Sequence, residues 1–505
     1  MNPISRESGV LLHLTSLPSI HGIGDLGPSA FRFINQLKSM GQKLWQILPN
    51  GQPDNCYSPY STISAFCNNP LWISLELLCD DGWLEKEALE RCPQFPKEKV
   101  DYIAVENFKI PLLNKAAEQF LVLASPDELK AFQSFCDAND FWLDDYTLFI
   151  ILRDLEGGKQ WSDWSDHFAS RNEDSLADIR WAYRHKIGLI KILQYFFFIQ
   201  WQNLKEYAIE KEIKIIGDIP IYISYNSADV WANRNLFKLD GNGQMVVQSG
   251  CPPDHFIPEG QAWNHPIYDW DQHRQSGYEW WITRLKYLSE FVDIIRIDHF
   301  NGFAKYWEVP AGDTNGIGGK WIEGPGAPFL ELVNTALGNR PIFAEDLGEA
   351  QKDAAPIMEK FNIPGMSIIQ MIFKDKDKPE PISENMVVYT GTHDNDTIVG
   401  RFSNVKANGQ SVHLDVELKS ERERALTFFN SDGSDIHWDF IKLALDSEAR
   451  TAIIPLQDIL GLGTDSRMNV PGTIGHNWEW RYSDDLMRQD ILNKMKSLTA
   501  KSGRI

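Results

Sequence analysis

The chain has 505 residues, 43% of them apolar and 12% aromatic, with 18 Trp. That is enough for a sizeable core and, at about 150 residues per domain, for three domains or one large barrel with insertions. Its 70 acidic and 49 basic residues give a formal charge of −21, which repels phosphate backbones and anionic lipid and argues against nucleic acid or a membrane as partner.

An uncharged polar substrate fits such a surface better, and Trp and Tyr rings suit sugars, with their apolar C–H faces and hydroxyl rims. The six cysteines (Cys56, Cys67, Cys79, Cys92, Cys136 and Cys251) form no C-x-x-C pair, so reduced thiols in a cytoplasm are expected. The opening MNPISRESGVLLHLTSLP has no basic n-region and its apolar run is broken by His13, unlike a secretory signal. The most apolar later stretch, Leu189 to Trp201, carries Lys191, Gln194 and Gln200 and is too short to span a bilayer.

In chain order, eight short apolar runs ending in polar or turn residues read as buried parallel strands. They are Val10–Leu14, Leu44–Leu48, Ile213–Ile219, Asp293–Ile297, Pro341–Ala344, Met366–Met371, Met386–Tyr389 and Ala452–Leu456. Helical patterns separate many of them, such as Ser29 to Met40, bounded by Pro28 and Gly41. This spacing predicts an α/β fold, a (β/α)8 TIM barrel. The whole chain, 1–505, is expected to be a single catalytic barrel domain. A mostly helical insertion covers roughly 55–210, and a second, at roughly 225–290, carries a hairpin turn at Asp240-Gly241-Asn242-Gly243 and an active-site loop. Both insertions follow strand C-termini and so build over the C-terminal face.

Gly22-Ile23-Gly24-Asp25-Leu26-Gly27 matches G-x-G-x-x-G. A dinucleotide site needs these glycines directly between strand and helix, with an acid about 20 residues on. Here Pro18 intervenes, and Ile47 occupies that later position, inside an apolar strand. A turn-rich loop is expected, with no cofactor. Metalloprotease, serine-hydrolase, Walker and EF-hand motifs are lacking and the His residues show no ligand spacing, so no metal is expected either.

The carboxylates carry more. Expected strands end at Asp298 in VDIIRIDHF, Glu345 in RPIFAEDLG and Asp394 in MVVYTGTHDND, and IKIIGDIPIYI supplies Asp218. Barrel strand ends converge on one mouth, so these acids can meet although distant in sequence. Cleaving an acetal with retention needs an ionised carboxylate nucleophile and a protonated carboxylic acid about 5–5.5 Å apart. Arg296, two residues before Asp298 on the same strand face, would keep the first ionised. Burial beside other carboxylates would keep the second protonated. The set predicts a retaining glycosidase or transglycosidase.

R-x-D at 296–298, Glu345 and His393-Asp394 resemble, in the same order, three signatures of the α-amylase clan. More closely, the chain resembles glycoside hydrolase family 77, the 4-α-glucanotransferases or amylomaltases. The blocks are SGVLLHLTSLPS…GIGDLGPSAFRF, LWQILP, YSPYSTISAF, GDIPIYISYNSADVWA, RIDHFNGF, YWEVP, AEDLG, YTGTHDND and IIPLQDILGLG…RMNVPGT…NWEWR. The resemblance implies Asp298 as nucleophile, Glu345 as general acid/base and Asp394 as transition-state stabiliser. It implies that Arg296, His299, His393 and Asp218 hold the donor sugar, that Tyr60 and Asn469 line the same site, and that Trp263 and the loop around Phe256 stack on or shield the glucan. Its substrates would be α-1,4-glucans such as maltodextrins, amylose and glycogen-type chains. Asn301 replaces the family's second arginine, His255-Phe256 its Tyr-Phe pair, Trp263-Asn264-His265-Pro266 its W-G-N-P, and Asn50-Gly51-Gln52-Pro53 its L-G-P-T. These departures bear on acceptor contacts and chain-length preference. An α-amylase-type hydrolase is the alternative, and a non-catalytic glucan-binding protein a remote one. The 49 residues after Leu456 are too few for the C-terminal β-sandwich many such hydrolases carry, and all three carboxylates are present.

Overall fold

The computed structural model describes residues 6–253, 258–338, 340–374, 380–402 and 416–504. In chain order its strands are β1 (Glu7–Leu11), β2 (Leu44–Gln46), β3 (Lys214–Pro220), β4 (Val247–Cys251), β5 (Gln261–Pro266) and β6 (Ile294–Asp298). Then follow β7 (Lys305–Pro310), β8 (Lys320–Glu323), β9 (Ile342–Ala344), β10 (Gly365–Ile368), β11 (Met386–Tyr389) and β12 (Thr451–Pro455).

Eight of these lie side by side in the order β10-β11-β12-β1-β2-β3-β6-β9, each neighbouring pair parallel. The Ala344 N–H donates to Pro364 O at 2.8 Å, bringing β9 against the start of β10 and closing the (β/α)8 barrel. Each of the eight expected apolar runs supplies one stave. Their near-continuous apolarity follows from burial on both faces, inward against facing staves and outward against helices. Some ends differ from expectation. β1 starts at Glu7, in register with Thr451, and stops before Leu14, which opens a 3-10 turn. β10 likewise gives way to a turn over Ile369–Met371.

The glycine-rich loop serves packing. A Cβ on Gly24 would sit 1.9 Å from the Leu14 carbonyl oxygen, so only glycine fits there. Gly27 then precedes Pro28, which opens the helix Pro28–Ser39.

Between β2 and β3 the helices Tyr102–Leu123, Pro126–Ala138, Asp140–Leu155, Glu173–Ala182 and Arg184–Glu210 form the large insertion. Ser125 and Glu128 make a reciprocal capping box at the second of these. The long helix Arg184–Glu210 buries Phe197, Trp201 and Leu204. It also buries two glutamines, each clasping a backbone segment with two hydrogen bonds. Gln194 accepts from Asn68 N at 2.8 Å and donates to Asn68 O at 2.9 Å. Gln200 accepts from Ser74 N at 2.7 Å and donates to Ser74 O at 3.1 Å. Buried amides satisfied in this way fix the chain that follows Tyr60.

The second sheet is antiparallel, in the order β5-β4-β7-β8, and draws its strands from both sides of β6. The Asp240–Gly243 turn forms, with the Asp240 carboxylate accepting from Asn242 N at 2.8 Å and Gln244 N at 2.9 Å. The residues flanking it make a single bridge, Leu239 to Met245, rather than two strands, because β4 pairs instead with β5 and β7. After β12 the described residues hold turns, the short helix Leu456–Ile459 and the helix Gln489–Lys501, and no β-sandwich. Among the described residues, no helix is long and apolar enough to cross a membrane.

Candidate active site

The parallel ladders assemble the site. Asp218 on β3 is in register with Arg296 on β6, so the two side chains point to the same side of neighbouring strands. Arg296 Nη1 lies 2.5 Å from Asp218 Oδ2 and 2.9 Å from Asp298 Oδ1. These two carboxylates overcome the effect of burial and hold the guanidinium well above its ordinary pKa, so it stays charged and keeps Asp298 oriented. Tyr60, brought in by the loop after β2, donates its hydroxyl to Asp218 Oδ2 at 2.8 Å. Asp218 Oδ1 is buried without a hydrogen-bond partner among the described residues.

Asp298 ends β6, and the next residue, His299, takes the left-handed conformation with φ 52°. That turn aims the His299 N–H at Glu345 Oε2, 2.8 Å away, while Leu347 N–H donates to Oε1 at 3.0 Å. Glu345 follows β9 directly, and its main chain is tied to the same corner: its N–H donates to Ile297 O and its O accepts from Phe300 N, both at 2.9 Å. Burial first, and then the Asp298 charge, push the Glu345 carboxyl up to about 7, against Arg296 and the two N–H donors. Glu345 is therefore half-neutral near pH 7, beside an Asp298 that the Arg296 guanidinium contacts at 2.9 Å. Burial lowers the pKa of His299, against the pull of Asp298, which favours the neutral imidazole. Its ring meets Trp263 edge-on at 4.9 Å.

Asp394 lies in the loop after β11. Asn469 Nδ2 donates to its Oδ1 at 2.6 Å, and His393 Nε2 is 3.4 Å from the same oxygen. The His393 ring stacks on Tyr60 with centroids 4.9 Å apart, and Asn469 N–H donates to His393 O at 3.1 Å. One contact network thus joins Asp218, Tyr60, His393, Asp394 and Asn469. Asp298, Arg296, His299, Glu345 and Trp263 join it through Arg296. Phe256 and His255 lie outside the described residues.

Two contributors were not singled out from the sequence. Arg467 donates from Nε to Asn469 O at 2.7 Å and from Nη2 to Asp394 O, pinning the loop that carries Asp394. Trp478 packs 5.8 Å from Tyr60 and 5.7 Å from His393. Both fall in the RMNVPGT…NWEWR stretch, whose density of polar and aromatic residues was the available signal. Asn301 is buried and donates to Leu347 O at 2.8 Å, supporting the turn whose N–H reaches Glu345.

Among the described residues, His21, Asp25 and Glu76 form a grouping of metal-ligand size, with ligand atoms within 4.8 Å of one another. Lys109 Nζ already sits 3.1 Å from Asp25 Oδ2 and supplies the local positive charge. The mouth itself offers two interacting carboxyl groups, a third acid and several hydrogen-bonding side chains. That set suits acid-assisted displacement at an acetal carbon.

Comparison with known proteins agrees with this chemistry. The sequence profile described as 4-alpha-glucanotransferase, of glycoside hydrolase family 77, matches residues 12–487. A 4-alpha-glucanotransferase of Synechocystis sp. is 40% identical over 510 residues, covering 99% of this chain and 98% of its own. The chloroplastic/amyloplastic 4-alpha-glucanotransferase of Solanum tuberosum is 38% identical, covering 99% of this chain and 87% of its own. The structure of an amylomaltase from Streptococcus agalactiae in complex with acarbose superposes with a TM-score of 0.92 at 34% identity, covering 99% of both chains. By profile, whole-length identity and fold together, the chain belongs to glycoside hydrolase family 77, the 4-alpha-glucanotransferases.

Proposed function

We propose that the chain is a retaining transglycosylase that moves α-1,4-glucan segments from a donor maltodextrin to the 4-OH of an acceptor glucan or glucose. The observation that carries the role assignment is the coupled pair: a Glu345 carboxyl that keeps its proton up to about 7, beside an Asp298 held by Arg296 at 2.9 Å. In the first half-reaction an Asp298 oxygen attacks the anomeric carbon while Glu345 gives its proton to the departing 4-oxygen. The donor's far segment leaves with a free 4-OH, and its near segment stays bonded to Asp298. In the second half-reaction Glu345 takes the proton of an acceptor 4-OH, whose oxygen displaces Asp298 with retention.

Asp394, held by Asn469 and His393, faces the positive charge that develops on the sugar. Asp218, with one oxygen turned to Arg296 and Tyr60, has Oδ1 left to accept from a sugar hydroxyl. His299 and His393 complete the donor-side contacts. Trp263 and, by sequence, Phe256 are assigned to the acceptor-side wall, where holding the acceptor in line gives it the advantage over water at about 55 M. The chain works as one catalytic barrel, with insertions over roughly 55–210 and 225–290. We assign it to the cytoplasm, since Cys56, Cys67, Cys79, Cys92 and Cys136 all carry thiols.

Incubation with pure maltotriose tests this reading. Glucose together with longer maltodextrins supports transfer, and reducing-end release with no longer product would make the enzyme a hydrolase. Asp298→Asn and Glu345→Gln should each lower the rate by several orders of magnitude in a folded protein. Near wild-type rates in either would remove the assignment.

A further inference from the structure

A polymeric substrate extends beyond the residues that cleave it. On the same face of the barrel lies a second cavity, of about 370 Å³. It sits between the insertion helix Asp140–Leu155, the short helix Ala228–Ala232 that follows β3, and the first turn of helix Glu279–Phe291. That last helix leads into β6 and runs opposite to it, so its first turn stands at the strand C-terminal end.

The walls are aromatic. Phe66 and Trp142 are buried, Trp280 half-buried, and Phe141 is 48% exposed. Phe66 meets Phe141 edge-on at 5.3 Å and Trp280 at 5.9 Å. The rim carries Asn233, Asn235, Ser276 and Thr283, all able to donate or accept hydrogen bonds. The charged side chains lining the cavity are Asp145, Asp229 and Glu279, without a basic partner among the lining residues. Asp145 is paired at 2.7 Å with Arg171, and Asp229 accepts from Ala65 N at 2.8 Å.

Each feature narrows the ligand. An acidic lining repels phosphates and carboxylates. Aromatic faces beside carboxylate and amide acceptors match the C–H face and hydroxyl edge of a pyranose. The volume lies at the small end of ligand sites, which run from about 300 to 1,000 Å³, so the cavity suits a short stretch of sugar rather than a folded coil. We propose that this cavity is a secondary saccharide site, holding one or two glucosyl units of a long α-glucan whose scissile bond lies in the mouth. The inference rests on the glucan-transfer reading and extends it to chain length. Ser64 and Phe66 line the cavity four and six positions after Tyr60, so the two sites share one segment of chain.

The test uses the full chain and two independent changes. Phe141→Ala removes the exposed ring, and Ser276→Trp fills the cavity from its exposed rim. Both should keep the maltotriose rate within about twofold, since a trisaccharide needs the mouth alone. Both should raise KM for amylose about three- to tenfold, the range expected for loss of one stacking contact. In an Asp298→Asn background, titration with maltoheptaose should show two sites per chain, falling to one when Ser276→Trp is added. Unchanged amylose KM in both variants, a second binding site that survives Ser276→Trp, or a cavity that responds to tetramethylammonium and not to maltoheptaose would overturn the proposal. An absence of maltotriose disproportionation in the wild-type protein would instead strike the glucan-transfer reading itself.

Discussion

Replacing Glu345 by Gln separates the electrostatics of the site from its chemistry, because folding stability can be read without turnover. The folded carboxyl keeps its proton up to about 7, whereas 4.5 is its ordinary value. Unfolding therefore releases a proton between these two values, and rising pH favours the unfolded chain across that window. The gap of about 2.5 in pKa corresponds, at about 1.36 kcal/mol each, to about 3 kcal/mol of destabilisation above pH 7 that is absent below pH 4.5. Glutamine cannot ionise and so removes this penalty. It also disturbs the bonds from His299 N and Leu347 N, since the amide presents one oxygen where the acid presents two. That mismatch costs about 1–3 kcal/mol at any pH and cancels when the two pH values are compared. Urea unfolding of both proteins at pH 5 and pH 8 should therefore show the stability difference moving by about 2.5 kcal/mol in favour of Glu345→Gln at the higher pH. An equal difference at both values would mean that Glu345 titrates like an ordinary surface carboxyl, and the acid/base assignment would lose its physical basis.

Tyr60→Phe keeps the ring on His393 but deletes the 2.8 Å bond to Asp218. A bond to a charged group is worth about 1.5–3 kcal/mol, so kcat/KM on maltotriose should fall about 10- to 100-fold, while folding stability falls by no more than that amount. Trp263→Ala removes the indole that packs against His299. It should raise the ratio of reducing-end release to disproportionation, and an unchanged ratio would place the acceptor wall elsewhere. Lys109→Ala leaves Asp25 buried without its ion-pair partner, which should cost about 3–5 kcal/mol of stability, measured by urea unfolding.

The staves of the barrel were legible because each is an apolar run sealed by turn residues, and because the acids sit where those runs end. Asp298, Glu345 and Asp394 could be placed at one mouth from that periodicity alone. The second sheet was not legible in the same way. YWEVP was recognisable as a family block, but its role as β7 depends on pairing with β4, some 60 positions earlier, and no local pattern announces such a partner. Arg467 escaped notice for a related reason: it acts through the main-chain oxygens of Asp394 and Asn469, and side-chain chemistry read along a sequence does not show which carbonyls a guanidinium will reach. Gln194 and Gln200 read as mere interruptions of an apolar helix, although each secures a distant strip of backbone.

The closure of the barrel gives the two principal carboxylates different mechanical surroundings. β3 and β6 are joined over five registered pairs, from Ile216–Ile294 to Pro220–Asp298, so Asp298 stands on a fully laced part of the wall. Glu345 rises from the opposite edge of the same lacing, where β9 meets β10 through the bond from Ala344 N to Pro364 O and the Asp346 carboxylate at Met366 N, both 2.8 Å. A seam stitched by so few bonds opens at lower cost than a laced ladder. On the proposed roles, the carboxyl assigned to proton exchange thus stands beside the sparsely bonded seam, and the one assigned to the covalent bond stands on the five-pair ladder.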